Sequence, residues 1–325
     1  MSATPAAKPP AASVIIPTKN RSTELERTVR GALAQRGVEV EVIVVDDASS
    51  VDVAEALRGA GDPRLKIIRQ TASRGVAAAR NAGVAAARFE WLAFLDDDDL
   101  WAPDKLFTQI DAAEAAGATF AYASVAVVDE QLRMIDFLEA PPSAQILTTL
   151  LPGNYMPAGA SNVVARADAV RSLGGFDESL HQLTGWDLWI RLAREGSAVA
   201  CDAPLAAYVQ HRGAMLLTER KQELIREFEY LRSKHAALCS ELGVEGFDRA
   251  GLEAWMAWGE SRAGRRFRAA AGFLRAATMY RGEIRRWMLR RVVHALRGQL
   301  ITDSGRPPAD DRERPAWLDA YAQRR

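Results

Sequence analysis

"WLAFLDDDDLW" (residues 91–101) runs five apolar residues straight into four consecutive aspartates. Four like charges behind a run that reads as a buried strand need a physical reason. Two carboxylates ~5 Å apart repel by roughly 3 kcal/mol at an effective dielectric of about 20. A solvated acidic turn tolerates that, with Asp favoured in turns and Asp104 opening the next helix. A structured loop instead needs protonation, basic partners or a cation, and hard divalent cations take carboxylate oxygens. The stretch by itself leaves both readings open.

Upstream of it the chain alternates short β-rich runs with helical ones. Val14–Ile16 reads as a buried strand ended by Pro17, and Thr23 with Glu26 has capping-box spacing before an apolar helical face of Leu25, Val29, Ala32 and Leu33. Strands follow at 40–45, 65–68 and 91–95, with helices at 53–57 and 76–87 between them. Pro103 is placed to open a helix running to Ala116, and 120–128 is the next strand. This spacing predicts an α/β fold, a mostly parallel Rossmann-like sheet with helices on both faces. Ligands bind such sheets outside the carboxyl ends of the strands. Three polar clusters fall at those ends: Pro17-Thr18-Lys19-Asn20, Asp46-Asp47 and Asp96–Asp99. Three clusters on one rim favour the cation reading of the aspartate run.

Further on, the pattern predicts a strand at 161–165, a helix at 167–173, a helix over "GWDLWIRLAREG" (185–196), and two strands at 198–200 and 205–209. Beyond Thr218 the chain reads as helical to about Leu300, with tails expected over 1–12 and 301–325. At 325 residues, with 48% hydrophobic and 26% charged content, there is room for one large domain plus an appendage. Basic and acidic residues balance at 42 each, so overall charge does not point to nucleic acid. Cys201 and Cys239 form no Cys-x-x-Cys pair, which speaks against a disulfide framework or a zinc site and fits a reducing cytosol. No window of 18 apolar residues occurs, so no membrane span is expected. The first strand is followed by "IIPTKNR", with neither a dinucleotide-binding glycine fingerprint nor a P-loop, and no nucleophile elbow is present.

Six pieces in order, "SVIIPTKNR", "VIVVDDAS", "GVAAARNAGVAAA", "WLAFLDDDDLW", "GGFDESL" and "WDLWIRLA", make residues 13 to about 213 resemble a family 2 glycosyltransferase of the GT-A fold. The resemblance implies an inverting transfer of sugar from a nucleotide donor, typically a UDP-sugar, to a hydroxyl acceptor, in cell-surface polysaccharide or glycolipid synthesis. It implies that Pro17, Thr18 and Asn20 line the nucleotide pocket, that Asp47 accepts from the base, and that Arg80 lies near base or diphosphate. Asp96 and Asp98 would form the Asp-x-Asp holding Mg²⁺ or Mn²⁺, with Asp97 beside them and His211 touching metal or diphosphate. A divalent cation there neutralises the charge that grows on the leaving diphosphate.

The departure from the family is at Thr184-Gly185, where relatives carry an acidic pair whose second member is the general base. Asp187, the nearest carboxylate in sequence, is named as the base, although on a helix it lies about 200° around the axis from position 185. Asp177 and Glu178 are the reserves. Two other readings stand beside transfer: a nucleotidyltransferase, which should keep a glycine-rich basic loop after strand one, and a pseudo-glycosyltransferase that binds nucleotide sugar without turnover. The segment 262–297 holds eleven arginines and one acid, Glu283. Ile284, Met288, Val292 and Leu296 recur every four residues, as in an amphipathic basic helix suited to an anionic membrane carrying a lipid-linked acceptor. Helices packed on the catalytic domain with solvated arginines are the alternative. The expected division is a domain over 13–218, with a nucleotide-sugar half to 128, then a helical extension over 219–300. The expected location is the cytoplasm, with peripheral contact at the inner face of the cell membrane.

Overall fold

The computed structural model describes residues 9–21, 23–211, 220–298 and 314–322, with Thr23 and Ala60 described by backbone alone. Strand β1 (Ala11–Thr18) leads through α1 (Thr23–Leu33), β2 (Glu39–Asp46), α2 (Val53–Ala56), β3 (Leu65–Arg69) and α3 (Val76–Ala86) to β4 (Trp91–Phe94). The second half holds β5 (Leu100–Trp101), α4 (Lys105–Ala116), β6 (Phe120–Asp129), β7 (Met134–Leu138), α5 (Ile146–Leu150), β8 (Val164–Arg166), α6 (Ala167–Ser172), α7 (Thr184–Glu195) and β9 (Ala198–Gln210). One sheet runs in the order β3-β2-β1-β4-β8-β6-β9-β5, with β7 also on β6. Pairing is parallel from β3 to β4, where the βαβ series predicted it. Beyond β4 the sheet is mixed: β8 runs antiparallel to β4 and β6, while β9 runs parallel to β6.

Strand residues alternate between two cores, as a period of two requires. Ile15, Ile43, Val45, Leu92 and Phe94 face one cluster. Val14, Ile16, Val42, Val44, Trp91 and Ala93 face the other. Both faces are covered, so these strands read as unbroken apolar runs. On one face α3 lies so close that a Cβ at Gly83 would stand 2.4 Å from Ile15 Cγ2. Only glycine fits there.

Several boundaries differ from the sequence reading. β1 begins at Ala11, inside the expected tail. Helix α4 begins at Lys105, not at Pro103, because β5 pairs with β9 just before it. Residues 159–162 form a 3₁₀ turn ahead of β8, and 198–210 is one strand whose register against β6 shifts at Ser124. The expected terminal tail is in part structured. Leu318 and Tyr321 are buried, Tyr321 donates to the Trp101 carbonyl at 2.8 Å, and Trp317 Nε1 to that of Pro204 at 3.0 Å. Residues 1–8, 212–219, 299–313 and 323–325, where the other tail and linker expectations fall, lie outside the described residues.

The helical extension divides into two packing units. Leu224, Phe228, Leu231, Leu238, Leu252 and Met256 join the main core with α5 and α7, so helices 221–234 and 236–242 pack as part of the catalytic unit. Helices 266–279 and 282–296 form a separate small core with the end of helix 249–262 through Ala257, Trp258, Ala269, Phe273, Ala277 and Met288. No helix among the described residues is long and apolar enough to cross a membrane.

Candidate active site

The parallel strands β1, β2 and β4 bring Thr18, Asp47 and Asp96–Asp99 to one rim. The aspartate run divides by alternation. Asp97 and Asp99 turn inward and are 8% and 1% exposed, while Asp96 and Asp98 remain partly open. Asp99 accepts from Ser161 Oγ at 2.5 Å and from the Val209 N–H at 3.0 Å; burial, then Asp98 and Asp96, raise its carboxyl well above the ordinary range. Asp97 accepts from Thr18 Oγ1 at 2.7 Å. Burial and the neighbouring Asp98 push it up to about 7, against the pull of Thr18 and Arg21. The backbone of the turn is held by Thr28, whose hydroxyl donates to the Asp97 and Asp99 carbonyls at 3.2 and 3.1 Å. This architecture accommodates four aspartates: two inward carboxyls carry hydrogen bonds and titrate high, and two face cations.

Asp96, with a side chain 39% exposed, pairs with Arg80 at 2.6 Å. Asp98 pairs with Arg21 and lies 3.2 Å from His211 Nε2. Burial works against ionisation of Asp98, but His211 and Arg21 outweigh it and hold its carboxyl below the ordinary range. His211 follows the end of β9, and its Nδ1 is 3.4 Å from Glu130 Oε1. Arg80 is buried, lies 5.2 Å over the Phe176 ring and also donates to Thr184 Oγ1 at 3.0 Å, so it links the rim to the start of α7.

Asp47 has a task of its own. Its oxygens accept from the Arg74 and Gly75 N–H groups at 2.7 and 3.1 Å and from the Ser73 hydroxyl at 2.7 Å. Lys19 Nζ in turn donates to Ser73 Oγ at 2.7 Å. Of about four acceptor positions on a carboxylate, three are thus used in shaping the 73–75 loop. Asn20, at φ +58°, accepts from the Ser50 N–H at 2.8 Å and donates its own N–H to Ser49 Oγ at 2.9 Å, tying the β1 end to the β2 end. Pro17 is within β1, opposite Val45.

Asp96, Asp98 and His211 offer oxygen and imidazole donors that suit Mg²⁺ or Mn²⁺. His211 Nε2 is enclosed and lies 3.2 Å from Asp98 Oδ2. The described residues do not converge as three ligands around one point, since Arg80 and Arg21 occupy the carboxylates. The donor chemistry fits a divalent ion that takes the place of these guanidinium contacts.

The profile of Glycosyl transferase family 2 matches residues 13–163. That stretch, a little under half of the chain, is a family 2 glycosyl transferase segment. Among family relatives, the chain is 35% identical to the succinoglycan biosynthesis protein ExoO of Rhizobium meliloti (strain 1021), over 63% of this chain and 61% of ExoO. It is 25% identical to the UDP-Glc:alpha-D-GlcNAc-diphosphoundecaprenol beta-1,3-glucosyltransferase WfaP of Escherichia coli, over 68% of this chain and 85% of WfaP. Its fold is that of S. aureus TarS 1–349, solved with UDP (TM-score 0.56, 15% identity, 88% and 89% of the two chains). The mannosyltransferase PcManGT from Pyrobaculum calidifontis, solved with GDP-Man and Mn2+, shares it as well (TM-score 0.54, 20% identity, 89% and 86%). These neighbours establish the GT-A class of the sheet.

Against the family pattern the α7 entrance needs one correction. Asp187, named from sequence as the base, is fully buried and held by Arg191 at 2.8 Å and by Lys234 and His235 at 2.9 Å each. Burial opposes its ionisation, but His235, Arg191 and Lys234 prevail and lower its pKa. This sealed carboxylate of weakened basicity joins α7 to Lys234 and His235 behind it. The reserves are engaged too: Asp177 with Lys234 and Tyr230, Glu178 with Arg74 and Asn81. At Gly185 a Cβ would stand 3.0 Å from Trp189 Nε1, so the indole edge crowds this position. Thr184 beside it accepts from Arg80. Sequence reasoning left Arg21 and Glu227 without roles. Arg21 stands in the quoted "IPTKNR" stretch and could have been noticed there. Glu227 caps the approach to α7 by accepting from the His181, Gln182 and Leu183 N–H groups at 2.9 Å each, a contact invisible across 44 residues of sequence.

Proposed function

We propose that this chain transfers a glycosyl group, with inversion, from a nucleoside diphosphate sugar, UDP being the preferred nucleotide, to a hydroxyl of a lipid-linked acceptor. The setting is cell-surface polysaccharide or glycolipid synthesis on the cytoplasmic side of the membrane. The observation that carries this reading is the alternation in Asp96–Asp99, which leaves two carboxylates partly open beside Arg21, Arg80 and His211. The UDP, UDP-GlcNAc, and GDP-Man with Mn2+ held by structural neighbours, and the diphosphoundecaprenol in the name of WfaP, support donor and acceptor classes.

Asp96, Asp98 and His211 would hold Mg²⁺ or Mn²⁺, which when bound supplies Lewis-acid neutralisation of the leaving diphosphate. Arg80 and Arg21 stand ready for the same charge from the protein side. The 73–75 loop, shaped by Asp47, forms the wall against which the base rests, and the one acceptor position left on Asp47 suits a base N–H. Calorimetric titration with UDP tests the donor half: binding should require Mn²⁺ or Mg²⁺, and equal affinity in EDTA would sink the metal claim.

The state of the α7 entrance favours a second reading, a nucleotide-sugar-binding pseudo-glycosyltransferase. Gly185 bears no base and Asp187 is sealed. UDP release from a panel of UDP-sugars, with and without membrane lipid extract, separates the two. Release that rises with acceptor establishes transfer. Donor binding with no acceptor-dependent release establishes the second reading.

A further inference from the structure

Seven of the twelve large hydrophobics that stand exposed among the described residues fall between 267 and 296: Phe267, Leu274, Met279, Ile284, Leu289, Val293 and Leu296. Scattered exposed apolar side chains are ordinary, but a concentration of them marks an interaction surface. The same two helices carry most of the eleven arginines. Arg275 is bonded to Glu253, Arg291 is buried and lies 3.8 Å over the Trp287 ring, and Arg286 lies 3.5 Å from Glu283. Arg268, Arg281, Arg285, Arg290 and Arg297 have no acidic partner among the described residues.

The stripe expected from sequence is split by the packing. Met288 and Val292 turn inward against the small core, whereas Ile284 and Leu296 stay out with Leu289 and Val293. Leu289, Val293 and Leu296 lie at i, i+4 and i+7, one face of helix 282–296. Glu283, Ile284, Arg286, Trp287 and Arg290 line a groove beside that face, with Glu283 its one acid, 3.5 Å from Arg286.

We infer that the outward faces of helices 266–279 and 282–296 dock on an anionic phospholipid bilayer, the aliphatic and aromatic side chains entering the headgroup boundary while the free arginines bind lipid phosphates. This deepens, and rests on, the reading that the acceptor is lipid-linked. A second copy of the chain is a poor occupant, because each copy would bring a local net of +10. Nucleic acid would meet the arginines but leave the aliphatic side chains in water. An anionic bilayer satisfies both. The helices that bear this face continue directly from helix 249–262, whose end packs with them and whose Met256 reaches the main core.

Co-sedimentation of the full chain with phosphatidylcholine vesicles and with phosphatidylcholine–phosphatidylglycerol vesicles tests this. The expected result is strong pelleting on the anionic vesicles alone, lost as salt screens the attraction. The double variant Leu289→Glu/Val293→Glu should partition at least about tenfold less, with its melting temperature and Mn²⁺-dependent UDP binding unchanged. Should that variant melt early, Arg285→Gln/Arg290→Gln, both fully on the surface, should weaken pelleting and flatten its salt dependence. Equal pelleting on both vesicle types, or pelleting of both variants at the natural level, would overturn the inference. Vesicle binding without UDP binding would instead remove the functional reading and leave the docking face standing.

Discussion

The strand-end rim and the entrance of α7 both set acidic residues among cations, yet they treat charge in opposite ways. At the rim Asp96 and Asp98 keep 39% and 15% of their side chains open, each beside guanidinium or imidazole groups that a stronger cation could displace. At α7, Asp187 has no exposure and three partners, Arg191, Lys234 and His235. The rim resembles a binding site held ready by exchangeable contacts. The α7 cluster resembles a rivet. The contrast separates the two ends of the proposed site: exchangeable contacts at the strand-end rim, and a sealed ionic cluster behind Thr184 and Gly185.

The largest effect should come from breaking the rivet. Asp187→Asn removes the carboxylate that Arg191, Lys234 and His235 share, leaving Lys234 only Asp177, and loss of one partner from a buried ionic cluster costs about 3–5 kcal/mol. Urea unfolding should show that loss, with Mn²⁺-dependent UDP affinity intact in the folded variant. A variant of natural stability whose transfer rate falls about a hundredfold or more would reverse the comparison and return Asp187 to the role of base.

At the rim the balance should be reversed. Asp98→Asn gives up the contacts to Arg21 and His211 that hold this carboxyl ionised, but it also relieves Asp97 and Asp99 of a neighbouring charge, so folding stability should fall far less than in Asp187→Asn. UDP affinity in Mn²⁺ should fall by at least about a hundredfold, close to 2.7 kcal/mol. Calorimetry that finds natural affinity in this variant would mean that the open carboxylates hold no metal. Asp47→Ala is expected to be milder, about 1–3 kcal/mol, because it frees the Arg74 and Gly75 N–H groups and loosens the loop. It should weaken UDP more than it weakens pyrophosphate. Equal losses would place the loop outside the base pocket.

The parallel half of the sheet and its rim could be read from sequence because each signal is local: apolar runs, a proline or an aspartate at the strand end, and βαβ spacing. What stayed hidden depends on distant partners. Asp99 turns inward only because Ser161 and the Val209 N–H, 62 and 110 residues away, receive it. Asp187 looked available because Lys234 and His235 approach from a helix 47 and 48 residues downstream. The docked end of the chain was missed since Trp317, Leu318 and Tyr321 follow a stretch whose proline and charge content argues for disorder.

Lys105 extends the comparison to a buried charge with no carboxylate at all. It begins α4 just behind the aspartate run. In the structure it is fully buried, donates to Gln109 Oε1 at 2.6 Å and lies 4.2 Å over the Trp101 ring. Burial lowers its pKa to about 7. In the unfolded chain the amine titrates near its ordinary value of about 10.4. Between those two values the unfolded state holds more protons, so stability should rise with pH across the window, by at most about 1.4 kcal/mol per pH unit. Below about 7 both states are protonated and the burial penalty is present in full. Lys105→Met keeps the length, adds no charge and removes this titration. The variant should therefore be more stable than the natural chain at pH 7, and the gap should narrow as pH is raised to 9 in urea unfolding. Other groups titrate alike in both proteins and cancel in the difference. Parallel stability curves from pH 7 to 9 would show that Gln109 and Trp101 hold the ammonium well enough to keep it charged, and Lys105 would then belong with the satisfied cations around Asp187.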